Sequence, residues 1–328
     1  MKAALLIPAL LAFLAAFAAA SSGDRQPMYK KCVGKCVVKG CDDPLPLVLQ
    51  LTLWDCESNC RYSCMHKATA VTIRKHNTIH QYHGKWPFIR ILGVQEPASA
   101  LFSVLNGLAH WHGYLAVSRT QPRLPASGVL AVKAVRTKMA MKHLYATNAI
   151  ICATGWIFST LFHTRDLAIT EKLDYFSAVC GLLFNAYIAL YKVFDLASPG
   201  NRGKLVVVRM GCIAFYAAHL SYLSLWPFDY GYNMKAGITV GMISNIAWLY
   251  WCFTNLKQRA YCWKMIAFVV LVVCAMLLEV LDFPPYLWVF DAHSLWHAAT
   301  VPLGYLLYSF FLDDLRFPEE QDGTEKRD

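Results

Sequence analysis

Five residues in this sequence carry side chains that can do chemistry, and they stand at the ends of apolar segments. Ser159 and His163 lie four residues apart, as do His293 and His297, so each pair shares one helix face. Asp174 follows His163 by eleven residues. Two histidines at this spacing can bind one metal ion, and a third from another helix completes a catalytic zinc site. The pattern therefore predicts zinc-assisted hydrolysis, with His163, His293 and His297 as ligands.

The same residues allow two reaction schemes. In the first, zinc activates water, Asp174 accepts or orients its proton, and Ser159 donates to the oxyanion formed at an acyl carbonyl. In the second, Ser159 is the nucleophile and a histidine is its base. We prefer the metal scheme because a serine triad leaves two histidines unexplained. His219 and Glu279 are interpreted as satisfied residues of the helix bundle.

The elements that must position these residues are predicted to be transmembrane helices. Of the 328 residues, 57% are hydrophobic and 16% are charged, whereas soluble domains are about 25% charged. The net charge of +10 comes largely from loops between apolar segments, so no nucleic-acid partner is expected. After residue 92, seven stretches approach the roughly 20 residues that cross a bilayer. These predicted spans are 93–117, 141–162, 173–194, 205–225, 236–255, 263–281 and 294–312.

The basic residues of the connecting loops predict the orientation of the chain. The first, third and fifth loops carry thirteen lysines and arginines, and the second, fourth and sixth carry three. By the positive-inside rule the odd loops are cytosolic. The N-terminal segment then lies in a lumen, the C-terminus lies in the cytosol, and the five side chains share the lumenal end of the bundle. Ionisable groups at that depth indicate a functional site.

The domain organisation follows from these patterns. Residues 1–20 are predicted to be a cleaved secretory signal, with an uncleaved anchor helix as the alternative. Residues 21–92 form a lumenal cysteine-rich module, 93–312 a seven-helix hydrolase domain, and 313–328 a solvated cytosolic tail. The predicted fold class is thus an all-α membrane protein with an N-terminal disulfide-rich module.

Six cysteines are concentrated in the predicted lumenal module. An even number behind a secretory signal predicts three disulfides whose pairing is open, and a zinc site is the competing interpretation. The last three share one helix face, so part of the module is expected to be a stapled helical hairpin. The six are Cys32, Cys36, Cys41, Cys56, Cys60 and Cys64.

The site motifs resemble those of a known superfamily. S-x3-H at 159–163, the aspartate at 174 and H-x3-H at 293–297 are similar to the signature of the CREST superfamily of seven-helix membrane hydrolases. That superfamily includes alkaline ceramidases and the adiponectin-receptor group. The resemblance implies zinc held by the three histidines, with supporting roles for Ser159 and Asp174.

A narrower resemblance covers residues 20–315. The segments "CVGKC", "CESNCRYSC", "QYHGKWPF" and "FHTRD…TEKLDYF" are similar to the post-GPI attachment to proteins factor 3 (Per-type) family. The resemblance implies a phospholipase A2-type reaction in the Golgi membrane. There the unsaturated sn-2 acyl chain is removed from the glycosylphosphatidylinositol (GPI) lipid of anchored proteins.

Two alternatives remain open at this point. One is a ceramidase-like amidase, because the five residues do not distinguish an ester from an amide; the large module favours a bulky headgroup. The other is a non-enzymatic heptahelical receptor or GPI-anchor trafficking factor in which zinc is structural.

Overall fold

The computed structural model describes residues 21–41, 43–122 and 129–318, and in these ranges the regular structure is helical, with no strand. The predicted signal peptide, 1–20, and residues 319–328 of the predicted tail lie outside the described residues. A short 3-10 turn occupies Pro199–Asn201. The α-helices are α1 (Pro27–Lys39), α2 (Leu47–Leu51), α3 (Cys56–His76), α4 (Pro97–Arg119), α5 (Val129–Thr164), α6 (Ala168–Val193), α7 (Arg202–Leu225), α8 (Tyr230–Asn255), α9 (Cys262–Leu281) and α10 (Ala292–Arg316).

Three disulfides hold α1 against α3. Two cysteines of each helix are spaced by four residues, so they fall on one face and pair across antiparallel helices. The third bond closes the connection between the helices. The predicted disulfides and the stapled hairpin are confirmed, and sulfurs bonded in this way are not zinc ligands. The pairs are Cys32–Cys64, Cys36–Cys60 and Cys41–Cys56.

Helix α3 begins at a well-formed N-cap. The Asp55 carboxylate accepts a hydrogen bond of 2.6 Å from the Ser58 backbone, and the Ser58 hydroxyl lies 3.1 Å from the Asp55 backbone nitrogen, which completes a capping box. The bond from the Ser58 backbone lowers the pKa of the Asp55 carboxyl. The helix ends at Asn77, which adopts a left-handed conformation with φ of 52°.

Within the described residues, six helices are long and apolar enough to cross a membrane, so the chain is a multi-pass membrane protein. The predicted first span, 93–117, corresponds to α4, which is not among the six. Asn106, His110 and His112 make α4 more polar than the other spans. The predicted class, an all-α membrane protein with a disulfide-rich N-terminal region, is confirmed, and the seventh crossing stays a prediction. The six spans are Val135–Thr164, Ala168–Val193, Pro199–Leu225, Tyr230–Asn255, Cys262–Glu279 and Ala292–Arg316.

The chain divides into two compact units. Of the described residues, the first unit contains those up to Ser103 together with Ser159–Lys172 and Leu277–Ala298, and the second contains the others. The second unit has its own apolar core, which includes Tyr145, Trp248 and Phe311. Ser159 and the three candidate zinc ligands all belong to the first unit.

Candidate metal centre

Three imidazoles converge at the junction of α5 and α10. His163 stands one residue before the end of α5, and His293 and His297 occupy successive turns at the start of α10. The Nε2 atom of His293 lies 2.8 Å from that of His297 and 3.4 Å from that of His163. His163 and His297 are each only 2% exposed. Nitrogens of the buried His163 and His297 and of the partly exposed His293 lie within 4.8 Å of one another and could together hold a metal ion.

The opposite ring nitrogens of two histidines bind carboxylates. The Nδ1 atom of His163 lies 2.9 Å from Oε2 of Glu96, and the Nδ1 atom of His293 lies 2.8 Å from Oε2 of Glu279. An ionised carboxylate only accepts hydrogen bonds, so each Nδ1 carries a proton, and in the neutral imidazole the Nε2 then presents a lone pair. This is the arrangement that orients histidine ligands in metalloproteins. The donor set therefore fits zinc.

A chain of hydroxyls reaches the third histidine. The Oγ of Ser103, on α4, lies 3.5 Å from Nδ1 of His297 and 3.1 Å from Oγ of Ser159. Ser159 is one turn before His163 on α5 and is buried. The hydrogen-bond partner of Ser159 seen here is thus a hydroxyl, whereas the serine-nucleophile scheme requires an imidazole base.

A reciprocal cap positions the two histidines of α10. The Ser294 backbone nitrogen donates to Oδ1 of Asp291 at 2.8 Å, and the Asp291 backbone nitrogen donates to Oγ of Ser294 at 2.9 Å. The helix start is thereby fixed one residue before His293. Burial raises the pKa of the Asp291 carboxyl above its usual range, against the opposing hydrogen bond from Ser294.

Within the first unit the structure brings together Ser159, His163, His293 and His297. Asp174 lies on α6 in the second unit, where its backbone carbonyl accepts a hydrogen bond of 2.9 Å from the Ser177 hydroxyl. Its predicted role in proton transfer therefore stays a prediction.

Sequence reasoning missed Glu96, Ser103 and the contact of Glu279 with His293. The interpretation of Glu279 as an ordinary bundle residue overlooked this contact. A signal was present, because Glu96 and Glu279 are each the one carboxylate in their predicted spans. An ionisable residue in a transmembrane segment indicates a functional site by default.

Lys85 is a further charged group near this centre. Its ammonium contacts Oε1 of Glu96 and lies 3.1 Å from Oδ2 of Asp166. Burial lowers the pKa of Lys85, but the two carboxylates more than compensate and hold it above its ordinary value.

The apolar helices and the converging imidazoles define a multi-pass membrane protein with a histidine group suited to a metal ion. The chain matches the Per1-like family over residues 46–315 and belongs to that family.

Curated relatives cover nearly the whole chain. A protein of Xenopus tropicalis called GPI-specific phospholipase A2-like PGAP3 is 40% identical over 318 residues, which is 94% of each chain. The Homo sapiens protein of the same name is 37% identical over 313 residues, 93% of this chain and 92% of that one. The protein PER1 homolog of Schizosaccharomyces pombe is 40% identical over 299 residues, 89% and 86% of the two chains. No solved structure matches the chain.

Proposed function

We propose that this protein is a zinc-dependent acyl-ester hydrolase that removes the unsaturated sn-2 acyl chain from the lipid of GPI-anchored proteins. The observation that carries the proposal is the convergence of three Nε2 atoms, two of them oriented by Glu96 and Glu279. The names of the relatives from Xenopus tropicalis and Homo sapiens support the same activity.

Each of the proposed site residues has its own role in ester hydrolysis. His163, His293 and His297 hold the zinc ion, which when bound lowers the pKa of water and polarises a carbonyl. Water adds to the ester carbonyl carbon, the bond from that carbon to the glycerol oxygen breaks, and that oxygen takes up a proton. Ser159 donates to the carbonyl oxygen as negative charge develops on it, and Asp174 relays the proton.

The proposed membrane orientation suits this substrate. The basic loops favour a lumenal N-terminus and a cytosolic C-terminus, which places the histidines just inside the lumenal surface. Ester carbonyls of a GPI lipid lie near the headgroup boundary, at the same depth. The anchored protein and its glycan then remain in the lumen beside the disulfide module. We assign the protein to the Golgi membrane on its resemblance to the Per-type family.

A lipid hydrolysis assay tests the proposed function. Detergent-purified wild-type protein, Ser159→Ala and the His293→Ala/His297→Ala double variant are given GPI lipid with a labelled sn-2 chain. Mass spectrometry is expected to detect free fatty acid and lyso-GPI with the wild type and neither product with the double variant. A zinc-loaded wild type that cleaves ceramide but not GPI lipid would assign the amidase alternative. One that cleaves neither lipid would overturn the enzymatic proposal.

The Ser159→Ala variant separates the two reaction schemes. Loss of one oxyanion donor lowers the turnover rate by about 10²- to 10³-fold without lowering the zinc content. A covalent acyl group on Ser159 in wild-type protein stopped during turnover would instead establish the nucleophile scheme. Ser224→Ala, an exposed serine in α7, is the matched control and is expected to behave as wild type.

A further inference from the structure

The backbone of Lys85 is held by the core of the disulfide module. The Tyr82 and Lys85 backbones exchange two hydrogen bonds, of 2.7 and 3.0 Å. Tyr82 is only 2% exposed and belongs to the buried cluster of Tyr29, Cys64 and Ala68. Its ring centroid lies 4.9 Å from that of Tyr29. The position of Lys85 therefore depends on helices α1 and α3, which the disulfides join.

The side chain of Lys85 reaches three groups around the end of α5. Its ammonium contacts Oε1 of Glu96, lies 3.1 Å from Oδ2 of Asp166, and stands 4.0 Å from the ring centroid of Phe162. The side chains of Lys85 and Glu96 are 19% and 6% exposed. Phe162 precedes the metal ligand His163 directly, and Asp166 follows the last residue of α5 by two positions.

Glu96 therefore divides its two oxygens between a metal ligand and Lys85. Oε2 binds Nδ1 of His163, and Oε1 binds the Lys85 ammonium. In addition, the Glu96 backbone nitrogen donates to the carbonyl of His163 at 2.9 Å. With both oxygens engaged, the carboxylate has one rotational setting, and that setting fixes the imidazole plane.

We infer that Lys85 is a positioning residue that links the disulfide module to the metal centre by orienting Glu96 against His163. The inference rests on the proposed function, because it assumes that the three histidines hold a metal ion. It also gives the disulfide module a role, which is to place one ammonium behind a metal ligand. Outer partners of ligating histidines commonly change metal affinity by about 10- to 100-fold when removed.

The alternative is that Lys85 only stabilises the fold as one partner of a buried ion pair. Removing one partner of such a pair is destabilising, because the other charge is left uncompensated. A change in stability alone therefore cannot distinguish the two roles. Zinc affinity distinguishes them, since a purely structural pair acts on folding without changing how a folded chain binds zinc.

The test is a titration of metal-free, full-length protein with zinc, without any lipid. Lys85→Met is expected to weaken zinc binding by about 10- to 100-fold. Lys85→Arg restores most of the affinity, because a guanidinium can still bind both carboxylates. Lys30→Met, an exposed lysine of α1, is the matched control and is expected to bind zinc as the wild type does. Disulfide content and thermal unfolding of each metal-free variant establish that the chain is folded.

A double-variant cycle with Glu96→Gln identifies the route. If Lys85 acts through Glu96, the Lys85→Met/Glu96→Gln protein binds zinc no more weakly than Glu96→Gln alone. Wild-type affinity in folded Lys85→Met, or fully additive losses in the double variant, would overturn the inference. The double variant keeps the test available if Lys85→Met alone does not fold, because it does not leave a buried Glu96 carboxylate without its ammonium partner.

The titration is independent of the lipid assay. A loss of zinc affinity in Lys85→Met, together with a wild type that cleaves no lipid, would uphold the positioning role and reject the hydrolase. A wild type that cleaves GPI lipid, together with Lys85→Met protein that binds zinc normally, would uphold the hydrolase and reject the positioning role of Lys85.

Discussion

The candidate metal centre depends on the histidine ring nitrogens that face away from it. Glu279 binds Nδ1 of His293 at 2.8 Å from α9, and Glu96 binds that of His163 at 2.9 Å. A carboxylate in this position fixes the tautomer and makes the opposite nitrogen a better ligand. The two glutamates are therefore as much part of the centre as the histidines.

Replacing Glu279 with glutamine tests this view at the scale of one residue. An amide is a weaker acceptor for the His293 Nδ1 proton, so we expect zinc affinity to fall by about 10- to 100-fold. The measurement is zinc titration of the metal-free protein. Glu57→Gln is the control, since Glu57 is an exposed partner of Arg61 on α3. Equal zinc affinity in both variants would contradict the assigned role of Glu279.

At the scale of the element, α3 supports the module that carries Lys85. The start of α3 is fixed by Asp55. Two of its cysteines are bonded to α1, and the third is bonded to Cys41 in the segment that follows α1. Because α3 holds three of the six module cysteines, a helix that frays at Cys56 weakens the disulfide framework from one end.

Replacing Asp55 with alanine removes the cap. We expect the free energy of unfolding of the protein to fall by about 1 kcal/mol. The measurement is thermal unfolding in detergent, with Asp43→Ala, an exposed aspartate of the same module, as the control.

The pH dependence of this effect follows from the lowered pKa of Asp55. The cap stabilises the fold above the ordinary aspartate pKa, and this contribution is lost as the pH falls through the lower folded-state value. The stability difference between wild type and Asp55→Ala is therefore expected to shrink in acid. A constant or growing difference would contradict the cap.

Local patterns in the sequence predicted some elements well. An even number of cysteines at helical spacing predicted the stapled hairpin, and apolar length predicted the six membrane helices. The i, i+4 spacing of His293 and His297 placed both imidazoles on one face of α10, because helical periodicity decides which side chains share a face. Their role as metal ligands stays a prediction.

Local sequence patterns did not predict the contacts between segments that are distant in the chain. Disulfide pairing among six cysteines allows fifteen connectivities. The contacts of Glu96 with His163, and of Lys85 with Glu96, join segments whose approach depends on tertiary packing. The polar residues of α4 lowered its hydropathy, so its predicted crossing rests on length more than on composition.

At the scale of the whole molecule, the second unit has a buried ionic cluster of its own. Oδ1 of Asp314 accepts hydrogen bonds of 2.7 Å from Lys192 and from Tyr261, and Oδ2 accepts one of 2.7 Å from Tyr145. These residues come from α5, α6 and α10 and from the turn before α9. Asp314 therefore joins four segments of the chain.

Replacing Asp314 with alanine leaves Lys192, whose side chain is 10% exposed, without this carboxylate. The loss of one partner of a buried pair is expected to cost about 3–5 kcal/mol. The neighbouring Asp313 is 34% exposed and binds Lys264, so Asp313→Ala is the matched control, with an expected cost below about 1 kcal/mol. Thermal unfolding and the yield of monodisperse protein measure the difference. Equal losses of stability in the two variants would contradict the view that Asp314 joins four segments of the chain.

The most direct test of the account is the metal content of the purified protein, measured by elemental analysis. Wild-type protein and the control His143→Ala, an exposed histidine, are expected to carry about one zinc ion per chain. Folded His163→Ala and His293→Ala/His297→Ala are expected to carry almost none. Lipid-cleaving wild-type protein without any metal, or variants that keep the full complement of zinc, would contradict the three-histidine centre.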